Sequence, residues 1–401
     1  MKGVALLAAL FMCAASFAQA SDWHTSWDGT LYGYASHTGL RADSVLNPGN
    51  RIARLPQSSA VAEARFNFKA ENDALRLTLR PIVLIQDNRN TFGGQRQNEA
   101  FLTQWQLRLH ASEDWSLAAG REILNWGPAQ FRSPSSPFYF DNGRSNPMRE
   151  LSGVDALKIS WTPNMRNTLT LARVTGAGHA AQNTWRDGWL LKADQRGGDW
   201  AGGLALAQTP ERGLFAGWHG QFTASDALLL YAEASSSTLA HALQSPADMR
   251  LPFNIAMRSS RQTGLLAGVA YTFDNGQSLN AEVLHHGHGY RAAEENAYFA
   301  RAATSPLWAV QALGYAPPLL GRDYLHLVWQ SNLMESSGYW RAMATHSFTD
   351  GSNELSGYIE SALTGQLSTF ALAVWPSDSA RQEFPGLYRY SASVGIKVAL
   401  P

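Results

Sequence analysis

Cysteine is almost missing from this chain of 401 residues, and the single one, Cys13, excludes both a disulfide-stapled scaffold and a cysteine-built zinc site. An excess of either charge is missing too. Lys+Arg equals Asp+Glu at 32 each, and charged residues make up only 16%. That balance excludes a nucleic-acid binder or a polybasic membrane-surface protein, since both need a sizeable positive field. Beyond the N-terminus no stretch of about 18 apolar residues occurs, so no transmembrane helix is available. Lysine itself is rare: Lys2, Lys69, Lys158, Lys192 and Lys397 leave 27 arginines among the 32 bases. What is present is ring and turn chemistry, with 34 Gly, 14 Trp, 13 Tyr and 17 Phe in a chain that is 45% hydrophobic. The mean hydropathy is nevertheless −0.23. That combination is too polar for a helical membrane protein and aromatic-rich for a cytoplasmic enzyme, and it points to a membrane β-barrel.

The N-terminus suggests a compartment. Met1-Lys2 is a short positive region, Val4 to Ala15 an apolar run of signal-peptide length, and Ala18-Gln19-Ala20 an A-x-A cleavage site. A transmembrane anchor needs ~20 apolar residues, more than this run supplies. A mature chain starting at Ser21 has 381 of the 401 residues, a single barrel domain over 21–401, and no cysteine.

Along that chain the recurring signal is period two. In Ala74 to Arg80 three leucines share one face while Arg76, Thr78 and Arg80 share the other. In Val61 to Lys69, Ala62, Ala64, Phe66 and Phe68 oppose Glu63, Arg65, Asn67 and Lys69; in Phe101 to Leu109, Trp105 and Leu107 oppose Gln104, Gln106 and Arg108. Each such strand places one face against an apolar medium and one against water. The connections alternate as well. Short turns at 71–73, 112–114, 163–167, 196–199, 224–226 and 274–276 alternate with longer segments at 38–58, 87–98, 127–153, 175–184, 236–262 and 287–321; a connection near 208–213 is short. Short periplasmic turns and long extracellular loops produce this pattern in an outer-membrane barrel. At about 10 residues per tilted strand the expected count is about 18, within a range of 14 to 18, with the register after residue 322 left open. No ~100-residue plug precedes the first strand near Trp27, and Tyr388 to Leu400 alternates as a closing strand. That last segment is similar to the signal read by the barrel assembly machinery, although it ends in Leu400-Pro401 rather than an aromatic residue.

Gly120-Arg121-Glu122-Ile123-Leu124-Asn125-Trp126-Gly127-Pro128-Ala129, followed by Ser145-Asn146-Pro147, resembles the strand-and-loop of porin-like outer-membrane barrels. It is similar also to the Trp-Gly-Pro stretch of capsule-assembly barrels of the Wzi type. The first resemblance implies a barrel for solute passage, monomeric or trimeric, and the second a barrel that tethers or exports surface polysaccharide. The similarity covers residues 120 to 161.

Candidate functional residues follow. The segment 127–153 combines Pro128, Pro134, Pro137 and Pro147 with Arg132, Asp141, Arg144, Arg149 and Glu150. Proline stiffens a loop that cannot pair as strand. Folded inward, its charges would form a constriction; left outside, they would simply be solvated. Arg76, Arg80 and Arg108, with Arg65 on the same kind of face and Arg121 on the approach to the loop, are candidates for lining a channel wall that favours anions or hydroxyl-rich solutes. Alternatively these arginines pair with Glu63, Glu282 or Glu354 and satisfy a polar interior. His285, His286 and His288 form the one metal-like cluster, and a loop or girdle role competes with that reading. Trp105, Trp115, Trp126, Trp161, Trp189, Trp200, Trp329 and Trp340 read as membrane-interface belts more readily than as sugar-stacking platforms.

No G-x-S-x-G, P-loop or G-x-G-x-x-G motif occurs. A barrel-embedded hydrolase built from a Ser and a His on adjacent strands stays open, because such a pair has no fixed spacing. The expectation is an outer-membrane β-barrel of a Gram-negative cell, working as a passive channel for small hydrophilic solutes without catalysis, nucleotide or cofactor. Its partners would be outer-membrane lipids and lipopolysaccharide, the assembly machinery, and a small solute or a surface polysaccharide.

Overall fold

The period-two segments all become strands. The computed structural model describes residues 23–179, 187–210, 213–238, 242–256, 261–332, 337–377 and 379–401; the expected signal peptide lies outside them. The first eleven strands are β1 (His24–Leu40), β2 (Ser58–Glu71), β3 (Leu75–Asn90), β4 (Gly93–His110), β5 (Trp115–Glu122), β6 (Val154–Asn164), β7 (Asn167–Gly176), β8 (Gly188–Arg196), β9 (Trp200–Thr209), β10 (Gly213–Thr223) and β11 (Leu228–Ser237). A small separate hairpin, β12 (Ala242–Gln244) and β13 (Asn254–Ala256), follows. The wall then resumes with β14 (Gln262–Thr272), β15 (Ser278–His286), β16 (Asp323–Gln330), β17 (Gly338–Ser347), β18 (Asn353–Ala362), β19 (Leu367–Pro376) and β20 (Tyr388–Leu400). Each wall strand pairs antiparallel with the next, and β1 pairs with β20 from Gly29↔Leu400 to Leu40↔Tyr388. The result is a closed antiparallel barrel of 18 strands, the expected count. Closure leaves no backbone edge unpaired, which an apolar surround requires.

Alternation sorts the side chains. Outward positions carry exposed Leu107, Leu117, Leu157, Leu204, Leu265 and Ile359, with Trp27, Trp115, Trp161, Trp200 and Trp329 toward the end that bears the short turns. This is the apolar band and aromatic girdle of a lipid-facing wall. Trp126 departs from the expected belt: it lies in the 123–153 connection, where its indole N–H donates to the Ser135 carbonyl at 3.0 Å. No helix among the described residues is long and apolar enough to cross a membrane.

Two departures concern the loop end. Residues 87–98, expected as a loop, are mostly strand, because β3 and β4 run on to a two-residue turn. Pairs such as Gln86↔Gln97 and Asp87↔Arg96 are polar on both faces. At 16 and 18 residues these strands exceed the ~10 that span a bilayer, so their upper ends stand in water and lose the alternation that marks a strand. The connection expected as a long loop over 287–321 folds in part into helices α1 (Ala292–Ala302) and α2 (Pro306–Tyr315). Pro306 opens α2, and the Ser305 side chain accepts from the Trp308 N–H at 3.3 Å. Tyr290, Tyr298 and Phe299 pack there with Leu46, Leu243 and Phe253. Four connections thereby join in one cap, because the Ser44 hydroxyl also donates to the Gly386 carbonyl at 2.6 Å.

Candidate functional site

The 123–153 connection does not stand outside the barrel. Leu124, Phe138 and Tyr139 pack against Val154, Ala172, Val174, Leu190, Ala205, Ala207 and Phe215, the inward residues of β6 to β10. Ala129 and Phe131 pack against Tyr231, Leu266, Leu284 and Tyr324, the inward residues of β11 and β14 to β16. The loop therefore lines one half of the lumen.

Two buried glutamates fix it. Glu233 on β11 accepts from the Ala129 N–H (3.0 Å), the Ser135 N–H (3.2 Å) and the hydroxyls of Ser133 (2.6 Å) and Ser135 (2.7 Å). Glu282 on β15 accepts from the N–H groups of Gln130 (2.5 Å) and Phe131 (2.9 Å) and from the Tyr231 hydroxyl (2.7 Å). A loop lacks secondary structure to satisfy its own N–H groups, and these carboxylates do so at a dry wall. Gly127 has φ +89°, and a side chain there would run into the Glu233 carboxylate, so the turn into the anchor needs glycine.

Two arginines hold the loop's far flank. Arg341 on β17 donates to the Arg144 carbonyl (2.6 Å) and to Gln130 Oε1 (3.4 Å). Arg65 on β2 donates to the Met148 carbonyl (2.7 Å) and lies 3.5 Å from Glu150. Between these attachments the loop carries its own charge network. Asp141 pairs with Arg149 and lies 3.7 Å from Arg132, while Arg144 donates to the Ala129 carbonyl at 2.9 Å. Burial alone would raise the Asp141 carboxyl, but Arg132 and Arg149 outweigh it and hold the group below the usual range. Glu150 goes the other way: burial, helped by Glu63, lifts it against the pull of Arg65 and Arg80.

The inner wall toward the short-turn end of β3 and β4 is wetted and charged. Arg76, Arg80 and Arg108 share the inner face of β3 and β4 around a cavity of about 320 Å³ with Lys69, Glu71, Gln106 and Glu122. Arg76 meets Glu71 at 2.5 Å, Arg80 donates to Asn67 at 3.4 Å, and Arg108 lies 3.8 Å from Glu122. A larger groove of about 810 Å³ between Trp161, Trp200 and Trp218 belongs to the apolar outer wall and has no part in this chemistry.

The structure thus gathers Arg132, Asp141, Arg144, Arg149 and Glu150 on the inner loop and Arg76, Arg80 and Arg108 on the inner wall of β3 and β4. Arg121 is a correction. It shares the outward face of β5 with Trp115 and Leu117, pairs with Asp155 at 2.9 Å, and does not line the lumen. The expected carboxylate partners are corrected in part: Glu63 does pair with Arg65 at 2.7 Å, but Glu282 takes loop N–H groups and Glu354 accepts from the Tyr388 hydroxyl at 2.8 Å. The histidines split across the sheet. His285 faces outward and bonds Asp323 at 2.7 Å, while buried His286 sits against Phe140 and His288 meets the Ser237 hydroxyl at 3.1 Å. Alternation keeps the three from converging, and among the described residues no group of three or more metal-type ligands occurs.

Sequence reasoning missed Glu233 and Arg341 and misassigned Glu282. A signal was available, because Leu204-Ala205-Leu206-Ala207 and Leu190-Leu191 are apolar on both faces. A strand with two apolar faces in a barrel has something other than water inside.

No family model matches the chain, and no curated protein sequence is similar to it. Solved structures are similar in fold. OccK11 (OpdR) of Pseudomonas aeruginosa superposes with a TM-score of 0.58 at 13% identity, over 94% of this chain and 96% of that one. OprD of the same organism gives 0.55 at 10% identity over 96% and 98%, and OpdQ gives 0.54 at 9% over 94% and 99%. These are outer-membrane porins, and the porin-like barrel is the fold of this chain. The resemblance to capsule-assembly barrels finds no counterpart among the three.

Proposed function

We propose that this protein is a passive channel for small hydrophilic solutes in the outer membrane of a Gram-negative cell, with the 127–153 loop forming its constriction. One observation carries the reading: the loop is tied to the inner wall by Glu233 and Glu282 and held at its flank by Arg341 and Arg65. Four attachments from β2, β11, β15 and β17 make it a fixed partition rather than a solvated flap. Arg76, Arg80 and Arg108 on the lumen wall of β3 and β4 favour anionic or hydroxyl-rich solutes, while Glu71 and Glu122 among them and a net charge of zero temper any strict anion preference. Transport by diffusion through a wet lumen involves no bond chemistry and no cofactor.

The test is stepwise conductance of the purified protein in a planar bilayer, which deletion of residues 130–148 should raise. A barrel that inserts yet never conducts, with or without the loop, overturns the proposal.

A further inference from the structure

The loop's attachments at Arg341 on β17 and Arg65 on β2 leave an arc of wall formed by β18, β19, β20 and β1. Whatever passes the loop passes between it and this arc. Its inward face carries a Glu360–Lys397 pair at 2.9 Å and, beside it, a file of aromatic rings. Arg341 is paired in register with Tyr358, and Tyr339, one inward position away on β17, brings its ring to 6.0 Å from that of Tyr358. Tyr358 stacks on Phe370 at 6.2 Å with 26° between planes. Phe370 in turn meets Tyr34 at 6.1 Å and Tyr32 at 6.2 Å, both edge-on, and the Arg65 guanidinium lies 4.5 Å over the Tyr32 ring.

Gly395 on β20 makes this continuity possible. It is paired with Phe370 on one side and Tyr34 on the other, and a side chain there would come within 2.8 Å of the Phe370 ring and 2.5 Å of the Tyr34 Cβ. None of the five rings belongs to the apolar clusters that hold the loop or the cap. Phe370 and Tyr358 are buried behind, while Tyr32, Tyr34 and Tyr339 stay partly open to the lumen. The Tyr339 and Tyr358 hydroxyls are engaged by Gln330 (3.0 Å) and Glu360 (2.7 Å), which fixes those two rings.

The passage therefore has two unlike walls, the charged loop with Arg132, Asp141, Arg149 and Glu150 on one side and, on the other, a ring surface bordered by the Glu360–Lys397 pair. A ring face attracts C–H groups presented together on a flat surface, and the loop's charged groups hydrogen-bond a hydroxylated rim. A cyclic polyol offers both at once; an open-chain polyol must give up rotational freedom to do so. We propose that Tyr32, Tyr34 and Tyr339, backed by Phe370 and Tyr358, make the channel favour solutes built on a saturated, hydroxyl-bearing ring over open-chain solutes of equal charge and similar size. This rests on the channel reading above.

The experiment is swelling of liposomes containing the purified protein in myo-inositol and in sorbitol, both neutral, with potassium chloride conductance reporting an assembled, open barrel in each variant. The native protein should pass inositol faster by about two- to tenfold, the worth of one aromatic face contact. Tyr34→Leu with Tyr339→Leu keeps apolar bulk but removes the ring faces and should bring the ratio to near one, whereas Tyr34→Phe with Tyr339→Phe should keep it. An equal rate for the two solutes in the native protein, or a ratio untouched by the leucine pair, overturns the proposal while leaving the channel standing. A protein that passes neither solute and carries no current overturns both.

Discussion

The anchoring carboxylates allow a worked prediction. Glu233 is 2% exposed and accepts four hydrogen bonds, two of them from backbone N–H groups of the loop. Glu233→Gln cannot serve both N–H groups, because Oε1 takes Ala129 and Oε2 takes Ser135, and an amide has one acceptor oxygen. One donor is left facing an NH₂ in either orientation, at a cost of about 1–3 kcal/mol. Removing both anchors, as Glu233→Ala with Glu282→Ala, strands the N–H groups of Ala129, Gln130, Phe131 and Ser135. Even at the low end of about 1 kcal/mol each, that amounts to about 4 kcal/mol, close to a thousandfold shift toward the undocked loop tip. The apolar contacts of Leu124, Phe138 and Tyr139 remain, so the tip around 129–135 loosens while the base stays. The assay is unitary conductance in planar bilayers beside a heat-modifiability gel that reports a folded barrel. Conductance should rise in the order native, Glu233→Gln, double alanine, deletion of 130–148. A folded double variant with native conductance would falsify the claim that the loop limits passage.

Further expectations concern charge and the cap. Glu150 has a carboxyl raised by burial, so its negative charge is lost sooner than that of an exposed glutamate as pH falls. Anion preference in reversal-potential measurements should grow on moderate acidification, and Glu150→Gln should already show that preference at neutral pH. Asp141 is held low, so its pairing is complete above the ordinary carboxylate range and is lost only as pH falls through the depressed value; Asp141→Asn should reproduce at pH 7 the current noise that strong acid brings to the native channel. In the cap, burial first and then Asp350 and Glu383 push the Glu295 carboxyl up to about 10, and Glu383 itself is raised to about 7. A raised carboxyl contributes stability that is complete below the ordinary value and declines as pH rises toward the shifted one. Protease cleavage within 287–322 should quicken from pH 6 to pH 9, and Glu295→Gln should flatten that rise. Gly127→Ala should mimic loss of the Glu233 anchor, because both its positive φ and its contact with Glu233 oppose a side chain; native conductance in that variant would count against the anchor.

How far the sequence reaches depends on where water lies. Arg76, Arg80 and Arg108 were legible because lipid on one face and water on the other write a period of two into β3 and β4. The same rule hid the upper parts of those strands, where both faces are wet, and left the loop-end part of β7 to β10 unexplained, where both faces are apolar. The inner loop was legible as a stiff, charged segment, but its partners were not. Glu233 and Glu282 lie some 100 and 150 positions further along the chain, and nothing local distinguishes them from other inward glutamates. Arg121 lies outside because it shares the period-two face of Trp115 and Leu117 on the short strand β5. The ring wall was invisible for a similar reason, since Tyr32 and Tyr34 reach Phe370 only when β20 closes against β1.

The two-sided apolar strands also bear on assembly. The loop-end part of β8 to β10, with Leu190, Ala205, Ala207 and Phe215 on its inner face, is poorly matched to water and needs its cover while the barrel is being built. That cover is the connection between β5 and β6, which lies in the chain just ahead of the strands it shields. Its apolar base meets strands close to it in sequence, contacts that close shorter loops than those to the second half of the chain. Glu233 and Glu282 join afterwards and act as latches, so the partition is laid early and locked late. A circular permutation that moved β5 and β6 to the end of the chain would reverse that order and leave the bare wall waiting for its cover.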